Sequence, residues 1–115
     1  MSIEYEKLSL SAKDIDKAIT SLREELEAIN FYNMRAEQAE DSELKALLIH
    51  NRNEEIEHAA MLSEWLRRNM PNFNTEFSDY LFTEGSLTDK ESSKNESQES
   101  CNCSCNCLGI GDLKK

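Results

Sequence analysis

Counting apolar positions by alternating threes and fours draws two long stripes along the chain, and polar residues interrupt each stripe near its middle. The first runs through Ile15, Ala18, Leu22, Glu25, Ile29, Tyr32 and Ala36. The second runs through Leu44, Leu48, Asn51, Glu55, His58, Leu62 and Trp65. Residues 11 to about 40 contain no Gly or Pro, and Ser11 followed by Asp14 has the form of a capping box, so this segment predicts one long helix. Asp41 and Ser42 then offer a break and a fresh N-cap, and residues 43–69 predict a second helix that "NMPN" ends at Pro71. A connection this short folds the two helices back on each other as an antiparallel hairpin. Phe77, Tyr80, Leu81 and Phe82 predict a shorter third helix within residues 74–82, closed by Gly85.

Beyond Gly85 the periodicity disappears. "SLTDKESSKNESQES" is rich in Ser, Glu, Lys and Asn and offers almost no large apolar group to bury, which predicts a flexible linker. The expected organisation is a helical domain over residues 1–85, a linker with a cysteine cluster over 86–107, and a short terminal peptide over 108–115. The fold class is all-α, with a disordered C-terminal tail. Two or three helices cannot enclose a large private core, so a second copy is expected to cover the apolar surface that one copy leaves open.

Charge narrows the function classes. The chain carries 23 acidic against 13 basic residues, a formal charge of -10, which argues against neutralising nucleic-acid phosphates or anionic lipid and favours metal cations. No apolar run approaches the roughly 20 residues needed to cross a bilayer, and "MSIEYEKLSL" lacks the basic-then-apolar order of a secretory signal. A cytoplasmic protein without nucleic-acid or membrane partners is therefore expected. All four cysteines sit in "CNCSCNC", so no disulfide framework staples the helical part.

The polar interruptions carry the candidate chemistry. Unpaired carboxylates on a core line cost several kcal/mol each, and like charges brought together raise one another's pKa. Glu55 and His58 are three apart and share a helix face, while Glu25 falls at the same depth of the opposite helix. A divalent metal ion would compensate the three; a buried polar network is the other reading. Di-iron helical bundles use one Glu from each of two helices and Glu-x-x-His from each of the other two, and this chain supplies half that set. A two-fold dimer of hairpins would supply all of it, closing a ferritin-like four-helix bundle around the metals. Carboxylate oxygens with one imidazole suit iron better than a thiolate-seeking ion, although zinc, manganese or cobalt fit too. His50 lies off the stripe and reads as a surface residue. Glu24 and Glu27 read as a solvated acidic face beside Glu25, and Tyr32 as a packing residue or a ligand's hydrogen-bond partner.

Three stretches, "EELEAINFYNMR", "HNRNEEIEHAAMLSEWLRRN" and "YLFTEG", together with their spacings, resemble the encapsulated ferritins. That resemblance implies two long antiparallel helices plus a short one, assembling into a decameric ring of five dimers. It implies a ferroxidase that oxidises Fe(II) to Fe(III), with two irons per dimer interface held by Glu25, Glu55 and His58. Glu25 from the two protomers would bridge the irons, and Glu55 and His58 would be terminal ligands. It also implies that Glu24 and Glu27 form an outer acidic site for incoming iron and that Tyr32 stands beside the centre. Phe31 occupies the position where the family commonly carries tryptophan. "LGIGDL" is similar to the peptides that dock cargo inside encapsulin nanocompartments, which implies that Leu108, Ile110 and Leu113 enter pockets of the shell wall, with Asp112 where Ser is common. An open ring has no interior for mineral, so the resemblance places iron storage in the encapsulin shell.

Cys101, Cys103, Cys105 and Cys107 lie outside that resemblance. Their spacing places them on one side of an extended segment as a soft-metal or redox patch, or reflects tail composition without mechanism. A contrasting reading of the whole chain is a non-catalytic metal-binding scaffold whose zinc or other divalent ion controls dimerisation.

Overall fold

The computed structural model describes residue 5 and residues 8–101, with side chains up to residue 94. Every regular element among them is a helix: α1 (Leu10–Gln38), α2 (Ser42–Asn69), α3 (Pro71–Tyr80) and α4 (Leu87–Cys101). None is long and apolar enough to cross a membrane. The chain divides into two compact units, residues 1–75 and 76–115.

The first unit is the antiparallel hairpin of α1 and α2. Its helices start where a side chain satisfies an otherwise unpaired amide. Ser9 Oγ accepts from Ala12 N at 3.0 Å, so the cap of α1 is Ser9 rather than the expected Ser11. Asp41 Oδ2 accepts from Leu44 N at 2.8 Å and caps α2 as expected. Pro71, read from the sequence as a stop, is also the first residue of α3, because its fixed φ suits the first helical turn and its missing N–H would have had no partner there.

The seam between α1 and α2 is narrow. Ala18, Ala36 and Ala59 are buried, which lets the helices approach closely, and Leu66 is wholly buried at 0% exposure. Counting by threes and fours selects Trp65 for this seam, yet Trp65 is 37% exposed and Leu66 takes the inward position. Ile19, Leu26, Met34, Leu47, Ile56 and Met61 remain exposed on the single chain.

The corner where α2 ends is held by charge. Glu64 accepts from Arg67 Nε and Nη2, each at 2.8 Å, and from Arg68 Nε at 2.7 Å, while Arg67 Nη1 reaches Asn74 Oδ1 at 2.6 Å. The two guanidinium groups hold the Glu64 carboxyl down at about 2, against an ordinary 4.5. A depressed carboxylate stabilises the fold above its unfolded pKa and loses that contribution as pH falls through the folded value. Urea unfolding is therefore expected to show wild type ahead of Glu64→Gln at pH 7. The advantage should fade as the pH drops from about 4.5 towards about 2; a gap independent of pH would contradict the clamp.

The second unit contains the chief departure from the sequence reading. Where composition predicts a flexible linker, α4 forms. Ser86 Oγ accepts from Asp89 N at 3.2 Å at its start. Lys94 donates to Glu76 and, at 2.9 Å, to Asp79, with its ammonium 5.4 Å from the centroid of the Tyr80 ring. Among the described side chains of α4, Lys94 supplies these polar contacts to α3. The chain turns between α3 and α4 with Phe82 at φ 60° and Gly85 at φ 92°. Gly85 follows α3 as expected and adopts a left-handed conformation that glycine reaches without steric penalty.

Candidate metal centre

Near the middle of the hairpin, α1 presents Glu25 and one turn of α2 presents Glu55 and His58. His58 Nδ1 lies 3.6 Å from Glu25 Oε1 and 3.4 Å from Glu55 Oε1. Taking one ligand atom from each residue, all three fall within 4.8 Å of one another. The two glutamate side chains are 24% exposed and His58 is 43% exposed, so the cluster is recessed between the helices but open on one side.

Its electrostatics are those of a site that lacks positive charge. The Glu25 carboxyl is held above its ordinary value by the hydrogen bond it shares with Glu55, then by burial and by the Glu55 charge, with His58 pulling the other way. Burial pulls His58 down, but its hydrogen bond to Glu55 and the charges of Glu25 and Glu55 outweigh this and leave it raised. A divalent cation would relieve the crowding of the two carboxylates, because it brings positive charge between them. Two carboxylates and one imidazole match iron, manganese or zinc in donor type, and three donors leave coordination positions open.

A neighbouring group that sequence reasoning overlooked sets the helix register. Arg52 Nη1 donates to Asn33 Oδ1 at 2.9 Å across the hairpin, and Arg52 Nε and Nη2 donate to Asn53 Oδ1 at 3.2 and 3.0 Å. Arg52 stands one turn before Glu55, so this clamp fixes the relative height of α1 and α2 close to the ligands. Its only signal in the sequence is the polar run "HNRNEE" on a helix whose neighbours are apolar.

The other expected residues are distributed as follows. Glu24 and Glu27 are exposed on α1 and lie outside the converging trio. Tyr32 is half-buried two turns along α1 from Glu25, with the Arg35 guanidinium 5.7 Å from its ring centroid and 5.6 Å from that of Phe31. His50 is on the surface, 3.9 Å from Glu54. Cys101 closes α4. Cys103, Cys105, Cys107, Leu108, Ile110 and Leu113 lie outside the described residues.

Comparison with known proteins places this geometry in a family. The EncFtn-like family description matches residues 1–84, which takes in α1, α2, α3 and the whole trio. The chain belongs to the EncFtn-like family. This EncFtn-like chain is 48% identical over 84 residues to a ferritin-like protein of Thermotoga maritima, covering 71% of this chain and 74% of the relative. It is 43% identical over 106 residues to an encapsulated ferritin-like protein of Rhodospirillum rubrum, covering 85% and 76%. Among solved structures, the crystal structure of protein ne0167 from Nitrosomonas europaea superposes with a TM-score of 0.72 at 52% identity, over 76% of this chain and 96% of that one.

Proposed function

We propose that this EncFtn-like chain is a ferroxidase, oxidising Fe(II) to Fe(III) at a site completed by a second copy, and that it works as cargo of an encapsulin shell. The observation that carries the reading is the convergence of Glu25, Glu55 and His58 on one open face of the hairpin. Two such faces brought together would offer four carboxylates and two imidazoles, the donor set of a helical-bundle di-iron site. The apolar side chains left exposed on α1 and α2 support self-association, and five dimers closing a ring is the assembly that the family resemblance implies.

Iron is the substrate here, and each Fe(II) gives up one electron to an oxidant such as O2. The protein's part is electrostatic. Carboxylates favour the ferric product over the ferrous reactant because the higher charge gains more from anionic donors. Glu25 would supply the carboxylate from α1, and shared between two copies it would contact both ions. Glu55 and His58 would fix each ion from α2, and Arg52 would hold their height against α1. Exposed Glu24 and Glu27 would draw cations towards the open side.

Oxygen uptake after anaerobic loading with Fe(II) tests the reaction. Uptake proportional to added iron supports it. A metal-dependent change of oligomeric size without oxygen uptake would favour a scaffold instead.

The encapsulated name of the Rhodospirillum rubrum relative supports the cargo role, as does the terminal "LGIGDL". Deleting residues 108–115 is expected to reduce loading into a co-expressed encapsulin shell by about tenfold or more, since each buried apolar side chain contributes roughly 1.5–3 kcal/mol. Oxygen uptake by the free protein should not change. Undiminished loading would refute the docking role of Leu108, Ile110 and Leu113.

A further inference from the structure

We propose that Arg52 is a charge-selecting residue of the centre at Glu25, Glu55 and His58: its fixed guanidinium weakens the hold on a trivalent ion more than on a divalent one, so that ferric product leaves. The iron part of this inference rests on the ferroxidase reading above.

Arg52 is used differently from the arginines at the far end of α2. Arg67 and Arg68 both pair with the Glu64 carboxylate. Arg52 instead donates to amide oxygens, from Nη1 to Asn33 Oδ1 at 2.9 Å and from Nε and Nη2 to Asn53 Oδ1, and no carboxylate among the described residues pairs with it. Neutral acceptors fix a guanidinium without cancelling its charge. With 23 acidic residues in the chain, carboxylates are plentiful, yet asparagines hold this side chain. A full positive charge therefore stands one turn from Glu55.

Its distance from the centre decides what that charge can do. Asn33 lies eight residues from Glu25 on α1, which places the guanidinium about 12 Å from the centre along the helix axis. That is too far to touch a bound ion and near enough to act on its charge. Repulsion grows in proportion to the charge of the ion, and at about 12 Å with an effective dielectric of roughly 40 it lowers affinity ~3-fold per unit of ion charge. A divalent ion thus loses ~10-fold and a trivalent ion ~30-fold. The two carboxylates pull the other way, and without a counterweight the ferric product would stay where it formed. Arg52 takes back part of that preference. The electron lost by each Fe(II) still goes to the oxidant, and Arg52 has no part in its transfer. It acts on the dissociation step, in which Fe(III) leaves and the carboxylates and imidazole are freed for the next Fe(II).

The same bonds clamp the helix register, so a purely structural role predicts weaker binding of every ion when Arg52 is lost. Charge selection predicts the opposite sign. The test uses the full chain, kept anaerobic at low ionic strength because the screening length is only about 10 Å at 0.1 M salt, with Co(II) and Tb(III) as probes. Arg52→Gln is expected to bind Co(II) ~10-fold and Tb(III) ~30-fold more tightly than wild type. Arg52→Met, which keeps the apolar stem, should do the same, and Arg52→Lys should keep the wild-type ratio of Tb(III) to Co(II) affinity. Glu25→Ala/His58→Ala supplies the Tb(III) signal of exposed acidic positions, to be subtracted. With Fe(II) and O2, Arg52→Gln should pass Fe(III) to the chelator desferrioxamine several-fold more slowly than wild type. Weaker binding of both probes in Arg52→Gln and Arg52→Met, or an unchanged ratio, would overturn charge selection and leave Arg52 a clamp. Absence of oxygen uptake by wild type would remove the ferric role together with the ferroxidase reading, while the ratio of the two affinities still decides the charge selection.

Discussion

Glu25→Ala is expected to lower the initial rate of oxygen-dependent Fe(II) oxidation by ~100-fold or more, beyond the 10–100-fold that follows loss of a residue supporting a metal ligand. Glu25 is the residue that α1 contributes to the trio, and in a two-copy site its loss removes a donor from both ions. His58→Ala and Glu55→Ala each remove one donor per copy and should follow in the same direction. Stability separates this from a folding defect. In the metal-free chain the Glu25 carboxyl is raised by its hydrogen bond with Glu55, then by burial and by the Glu55 charge, so it is an ionisable group set in an unfavourable place. Glu25→Ala should therefore keep or raise the metal-free thermal midpoint while activity collapses. Glu24→Ala and Glu27→Ala, which alter exposed positions outside the trio, should slow turnover at low iron without abolishing it. Wild-type rates in Glu25→Ala would remove the ferroxidase role from these residues.

The convergence of Glu25, Glu55 and His58 is legible in the sequence because a carboxylate or imidazole on an apolar stripe demands compensation, and because the short connection at residues 39–41 forces the two stripe centres together. Its pairing distances follow from antiparallel register: Glu25 meets His58, and further along α1 Asn33 meets Arg52 further back on α2. Arg52 itself was not legible. An arginine in a polar run normally marks a solvated face, and only the placement of Asn33 opposite reveals a clamp.

Two other misreadings have separate origins, and the first lies in what a periodicity can encode. Counting three then four from Glu55 reaches His58, Leu62 and Trp65, while counting four then three reaches Ala59, Leu62 and Leu66. Both fit a period of 3.6. The choice between Trp65 and Leu66 is made by the closeness of the helices at the buried alanines, which the pattern does not express. α4 escaped for a different reason. Its described contacts include a cap at Ser86 and Lys94 reaching Glu76 and Asp79, and these leave no apolar signature. Composition reports how much surface a segment can bury, and it is silent on a helix held by polar contacts.

Leu66→Ala should destabilise the metal-free hairpin by about 2–5 kcal/mol, the cost of truncating a fully buried leucine. Leu66 is 0% exposed and the other buried apolar residues among those described are alanines, so larger buried neighbours there cannot collapse to fill the space. Trp65→Ala, one position away, should cost less under the same dilute conditions because the indole is already 37% exposed. The comparison must be made at one protein concentration, since association stabilises the folded chain by mass action. Denaturant midpoints in the opposite order would restore Trp65 to the seam and rotate α2 about its axis.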